Sequence, residues 1–250
     1  MVYESSNFFQ NRALELWLYG ITPEQSAAEV DFILEELQAP PGACILDAPC
    51  GSGRHLAALA KRGYIGLGLD HSPEMIALAR QALAPYPGRF ELLQADLREI
   101  TGEAVFDGAF AFGNSFGYFD RPGMATYLGA LARALKPGAR FVADTALAAE
   151  SVLPGLKDHE WYEAGEFTVL IDNTYHPEEN LLEMEHRIYR RGSAEPETST
   201  LCQWVYTLGE IRSMLDSAGL KLLQAYGSLA REPFRAGSPW FIITAEKPLN

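Results

Sequence analysis

Residues 45 to 56 read Ile-Leu-Asp-Ala-Pro-Cys-Gly-Ser-Gly-Arg-His-Leu, an apolar run that ends in the acid Asp47 and turns through Gly51 and Gly53 into a segment of helical composition. At such a strand end the amides bared by glycine converge with the positive pole of a helix, a setting suited to a small nucleotide-like ligand. Asp70 closes the next apolar run, nineteen residues after Gly51. At that interval a carboxylate accepts hydrogen bonds from both hydroxyls of a ribose. A dinucleotide would also need a third glycine where Leu56 stands, because the helix must pack close enough there to leave room for a pyrophosphate. An NAD-dependent oxidoreductase is therefore the weaker alternative, and no G-x-x-x-x-G-K-[ST] phosphate loop occurs.

The segments around these residues alternate between short apolar runs and amphipathic stretches. Strands are expected at 43–46, 64–69, 90–94, 105–112 and 139–145, and helices at 54–62, 73–83 and 122–135. Continuous apolar strands separated by helices indicate an α/β domain, a doubly wound parallel sheet covered on both faces. Before it, residues 1–40 read as helices, with Thr22-Pro23 as N-cap and first helical position and Gln25 where a capping box takes Glu or Gln. Between 147 and 206 the pattern changes to period-two alternation over 167–175, 182–190 and 201–206, which reads as a three-stranded antiparallel insertion capping the main domain. A helix at 207–218 and a hairpin of 220–226 with 240–245 complete the main domain, which thus comprises 41–146 and 207–250.

Taken in order, these residues resemble the class I S-adenosylmethionine-dependent methyltransferases, in the small-molecule branch that carries an antiparallel insertion. Asp47-Ala-Pro-Cys-Gly-Ser-Gly53 is similar to the family's first motif, with Pro49 in place of its first glycine. Proline lacks an N–H and holds φ negative, so no cofactor hydrogen bond comes from that residue. Gln94-Ala-Asp96-Leu97, the run Ala111 to Tyr118, and Leu131 to Gly138 are similar to its later motifs. The resemblance implies a mostly parallel seven-stranded Rossmann-like sheet, S-adenosyl-L-methionine as cofactor and S-adenosyl-L-homocysteine as product. It assigns cofactor contacts to Asp47, Ala48, Gly51 and Gly53, to Asp70 on the ribose with His71 and Met75 beside it, to Asp96 on the adenine amine with Leu97 on the ring, and to Phe112, Gly113 and Asn114 near the sulfonium.

Methyl transfer from a sulfonium disperses positive charge in an in-line displacement and requires no metal, so the protein's work is alignment and exclusion of water. An acceptor that sheds a proton gains from a nearby base, for which His55, Tyr118 and His176 are the candidates. The insertion offers Trp161, Tyr162, Tyr175, His176, Arg187, Tyr189 and Trp204 as a possible acceptor pocket. A chain of 33 acidic and 20 basic residues, net charge −13, is a poor partner for nucleic acid and points to a small-molecule acceptor for N- or O-methylation. Three cysteines without framework spacing suggest neither disulfides nor a zinc site, and the absence of a signal-like start or a long apolar span suggests a cytoplasmic protein off the membrane. A module that binds the cofactor without catalysis is the second alternative.

Overall fold

The computed structural model describes residues 8–249, so Met1–Asn7 of the expected N-terminal helical segment lie outside the described residues. Helices α1 (Asn11–Tyr19) and α2 (Pro23–Leu37) lead into alternating β1 (Cys44–Asp47), α3 (Arg54–Lys61), β2 (Ile65–Asp70), α4 (Pro73–Leu83), β3 (Phe90–Gln94), β4 (Phe106–Ala111), α5 (Arg121–Ala134) and β5 (Leu135–Thr145). After the short α6 (Ala149–Val152) come β6 (His159–Ala164), β7 (Phe167–His176), β8 (Leu181–Arg190) and β9 (Glu197–Trp204), then α7 (Leu208–Ser217), β10 (Lys221–Tyr226) and β11 (Phe241–Glu246).

The main sheet has seven strands in the order β10-β11-β5-β4-β1-β2-β3, parallel except for β11, which runs antiparallel to both neighbours. Strand order reverses between β1 and β4, with Asp47 beside Gly68 of β2 and Phe110 of β4. Loops diverge at such a reversal and leave a crevice beyond the carboxyl ends of the strands.

Both sheet faces are covered. On one, Leu46, Ala109, Phe141 and Phe241 meet apolar residues of α5 and α7. On the other, Val30, Ile33 and Leu37 of α2 join Leu59 of α3 against Ile45, Phe110 and Val142. Each such fully buried aliphatic side chain contributes about 1.5–3 kcal/mol relative to exposure. Helix α2 is thus a layer of the sandwich itself as well as a neighbour of the site. Its start follows the expected cap, for Oγ1 of Thr22 accepts the Gln25 amide hydrogen at 3.1 Å. The reciprocal half of a capping box is not made, because the Gln25 side chain donates to Glu29 at 2.9 Å instead.

The insertion is a separate sheet of four antiparallel strands, β6-β7-β8-β9, one more than the sequence pattern indicates. The additional edge strand β6 is exposed at every position but its last, so no buried face imposed an alternation to read. The inner face of this sheet, with Val169, Leu182 and Leu201, packs on Phe8, Ala13 and Leu16 from the α1 region. Leu56, which stands where a dinucleotide site would take its third glycine, is fully buried with Ile76 and Leu83, and a side chain on Gly68 would meet it at 2.4 Å.

Candidate active site

Beyond the reversal point lies a cavity of about 800 Å³, walled by the glycine turn after β1, the ends of β2 and β3, the loop after β4, the α1 region and the end of β9. The turn begins with a cis Ala48–Pro49 peptide and continues with Gly51 at φ +52° and Gly53 at φ +74°. The Cys50 amide donates to the Leu69 carbonyl at 2.8 Å, and the Gly51 amide to Oδ2 of Asp70 at 2.9 Å. The Tyr127 hydroxyl braces the turn from behind by donating to the Ala48 carbonyl at 2.9 Å.

The two glycines act on different neighbours. A Cβ on Gly51 would meet only the Trp17 ring, at 3.7 Å, and Gly51 lines the cavity. A Cβ on Gly53 would stand 2.9 Å from Cα and Cβ of Ala79, so that glycine lets α3 approach α4. Gly53 belongs to the packing behind the site rather than to its wall. Ala48 likewise lies behind it, fully buried with its amide and carbonyl both engaged.

Asp70 reaches the cavity although burial pushes its carboxyl above the ordinary range, and the amides of Gly51 and Ser72 each take one of its oxygens at 2.9 Å. A carboxylate oxygen accepts two hydrogen bonds, so one lone pair on each remains for a ribose hydroxyl. His71, Met75, Leu97, Phe112 and Gly113 also line the cavity. Asp96 does so with its carboxylate already forked by Arg98, whose Nε and Nη2 lie 2.9 and 2.6 Å from Oδ1 and Oδ2. That hydrogen bonding holds Asp96 below its usual range, and the same guanidinium stacks 4.7 Å from the Phe119 ring centre.

Asp47 is completely buried, and neither of its oxygens has a hydrogen-bond partner among the described residues. Burial pushes its carboxyl well above the ordinary range. An orphaned acid beneath a glycine turn fits a cationic group arriving above it, as the methionyl ammonium of the implied cofactor would. With Asp70 in the cavity wall and the open space above Gly51, the residues present fit that cofactor.

Sequence reading did not find the network behind these groups. Oε2 of Glu29 on α2 accepts from the Arg54 guanidinium and lies 2.8 Å from Nε2 of His55, although 25 and 26 residues separate them from it. Burial favours the neutral form of Glu29, but the His55 hydrogen bond and the Arg54 charge outweigh it and hold the acid at about 2. His55 lies in the cavity wall, yet burial pushes it down to about 4, so its neutral ring donates Nε2–H to Glu29 and is a weak base. Asp144, at the end of β5, accepts the amides of Gly113 and Asn114 at 2.7 and 3.0 Å and is pushed up by burial to about 7. Asn114 sits at φ +62° with its Oδ1 taken by Thr145 and the Ala146 amide, so it shapes the loop instead of facing the cavity.

The other expected groups divide. Tyr118 lines the cavity, and burial raises its phenol far above neutrality, which keeps it protonated. His176 lies outside the cavity wall on β7, with Nε2 3.4 Å from Glu183. Of the insertion's expected pocket, Trp204 alone lines the cavity, whereas Trp161 is 70% exposed and Arg187 is paired with Asp172. Phe9, Trp17 and Glu179 supply the wall that those residues were expected to form.

Residues 45–138, which hold β1 to the start of β5 and thus the turn, Asp70 and Asp96, match the family model of a methyltransferase domain. Over that stretch the chain is similar to a methyltransferase domain. An O-methyltransferase from Pyrenophora dematioidea is 32% identical to it over 120 residues, 46% of this chain and 44% of that protein. The chain spans less than half the length of the curated relatives it matches. Solved structures share the architecture: the CcbJ methyltransferase from Streptomyces caelestis superposes with a TM-score of 0.84 at 17% identity, covering 98% of this chain and 100% of that one. The SAM-bound amino pentose methyltransferase CalS10 from Micromonospora echinaspora does so with a TM-score of 0.72 at 21% identity, covering 98% and 100%. The chain therefore shares its overall fold with these two proteins. Among the described residues, no helix is long and apolar enough to cross a membrane, and no group of three or more acids, His or Cys is placed to hold a metal ion.

Proposed function

We propose that the protein transfers a methyl group from S-adenosyl-L-methionine to a small molecule, at nitrogen or oxygen. The observation that carries this reading is one cavity in which Gly51, Asp70 and Asp96 share walls with Trp17, Tyr118 and Trp204. A volume of about 800 Å³ lies within the range of small-ligand sites, about 300–1,000 Å³. The cofactor supplies a methyl group activated on a sulfonium. The chain's residues hold and shield: Asp70 takes the ribose hydroxyls with Met75 beside it, Asp96 the adenine amine, and Leu97 packs on the ring.

The insertion and the α1 region cover the acceptor side, where Trp204, Trp17, Phe9 and Tyr118 exclude water from a reaction whose charge disperses. Neither a protonated phenol at Tyr118 nor a weakly basic His55 takes a proton readily near pH 7. An acceptor that reacts as a free amine, or loses its proton to water at the mouth, suits those surroundings. A net charge of −13 does not favour a polyanionic acceptor such as RNA. CalS10, by its description, acts on an amino pentose, which is in keeping with a small acceptor here.

Calorimetric titration with S-adenosylhomocysteine, with NADH as control, tests the reading. One-to-one binding of the former alone supports it, and binding of NADH alone would return the oxidoreductase alternative. Tight cofactor binding with no label moving from methyl-labelled cofactor to any of a panel of small amines and phenols would favour a non-catalytic binding module.

A further inference from the structure

Among the described residues, two side chains of the arginine and lysine type reach the cavity, Arg54 and Arg98. Arg98 belongs to the adenine end, where Asp96 takes its Nε and one terminal nitrogen. Arg54 stands at the opposite end, as the first residue of α3 beyond the glycine turn. Its Nη1 is fixed from α2, by Ser26 Oγ at 3.1 Å and by the Glu29 carboxylate. Its side chain is 12% exposed, and neither Nη2 nor Nε has an acceptor within hydrogen-bond reach among the described residues. Nη2 occupies the space a Gly113 side chain would fill, 3.0 Å from the Cβ position, so the absence of that side chain leaves the guanidinium facing the cavity.

A guanidinium with one edge anchored and the other unfilled matches an incoming carboxylate, which it binds as a fork. Asp47, completely buried behind the same turn and outside the cavity wall, leaves Arg54 as the charged side chain that faces the cavity at this end. We propose that Arg54 binds the carboxylate of the cofactor's amino-acid end and that Glu29 is a positioning residue which aims it. The N-terminal helices are then part of the cofactor site, not only of the acceptor cover. This inference rests on the proposed cofactor.

The test is calorimetry with S-adenosylhomocysteine and with its decarboxylated analogue, which keeps the adenosine, the thioether and the amine. The wild-type protein is expected to bind the intact ligand about tenfold or more tightly than the analogue, the scale of one charged hydrogen-bonded pair. In Arg54→Gln the preference is expected to fall to about twofold while the analogue binds as before. Glu29→Gln, which leaves the guanidinium unaimed, is expected to lower the preference by about threefold or more. Equal binding of both ligands by the wild-type protein overturns the proposal without any variant. So does an Arg54→Gln protein that keeps the preference, or one that loses both ligands alike, which would mark a purely structural residue. An unchanged preference in Glu29→Gln removes its positioning role. Failure of the wild-type protein to bind either ligand refutes the cofactor reading itself.

Discussion

The amide of Gly51 donates to Oδ2 of Asp70 at 2.9 Å, so the acid that faces the cavity also closes the turn that forms its floor. Oδ1 is held by the Ser72 amide at the start of α4. One carboxylate thereby sets the spacing between the ends of β1 and β2, and any ribose bound there inherits that geometry. Asp70→Asn removes the charge and one acceptor while keeping the volume. S-Adenosylhomocysteine should bind it about 1–3 kcal/mol more weakly, the scale for a hydrogen bond to a charged group. Calorimetry on the variant checks this, and an unaltered Kd would contradict the ribose assignment.

Gly51 and Gly53 should separate function from stability. Both have positive φ, which costs an L-residue about 1–2 kcal/mol. Gly53→Ala adds a clash with the backbone of α4 and should lose about 2 kcal/mol or more in urea unfolding. Gly51→Ala has room beside Trp17, so its smaller stability loss should be joined by a drop in cofactor affinity. The reverse pattern would mean that the roles of the two glycines are exchanged.

Asp96 has one lone pair left on Oδ2 once Arg98 is counted, since Oδ1 also accepts the Arg98 amide. If that lone pair takes the adenine amine, S-inosylhomocysteine, with a carbonyl in its place, should bind about tenfold more weakly than S-adenosylhomocysteine. Asp96→Ala should abolish the difference. Equal affinities in the wild-type protein would leave Asp96 as no more than the holder of Arg98.

The pH dependence of stability should carry contributions of two opposite signs. His55, held at about 4 against an ordinary 6.5, stays neutral when folded, so the unfolded chain binds more protons and stability falls as pH drops from about 6.5 toward 4. Glu29, held at about 2, adds a further loss below about 4.5. Asp144, raised to about 7, acts the other way: the folded state binds the extra proton, and stability falls as pH rises from about 4 through 7. Asp144→Asn keeps an oxygen for the Gly113 and Asn114 amides and removes that proton. Its melting temperature at pH 8 should exceed that of the wild type, at about 2–4 °C per kcal/mol for a chain of this size. A lower value at pH 8 would show the carboxylate to be ionised and favourable there.

Tyr127→Phe removes the buried hydroxyl that supports the Ala48 carbonyl. The acceptor is then left buried and unpaired, at a cost of about 1–3 kcal/mol in chemical denaturation. Because Tyr127 lies outside the cavity, cofactor affinity should follow only weakly. A loss confined to affinity would make it part of the binding wall.

What was legible before folding is what neighbouring residues decide among themselves. The strand, glycine turn and helix around Asp47 to Leu56, the cap at Thr22, and the alternation of apolar runs each arise within a few residues. Asp70 could be placed because parallel pairing sets β2 beside β1 at one residue per residue. The strand β6 was not legible, since an edge with both faces in solvent leaves no period. Nor was the partnership of Glu29 with Arg54 and His55, or of Asp144 with the Gly113 loop, because a buried charge takes whichever opposite group the packing brings within 3 Å. Arg98 shows the same limit at short range, for its fork on Asp96 depends on a side-chain rotamer and on the Phe119 ring that supports it. The cavity's aromatic wall is the clearest case: Trp17 and Trp204 lie far apart in the chain, and they share that wall only where α1 packs beneath sheet β6–β9 and that sheet meets the loop after β4.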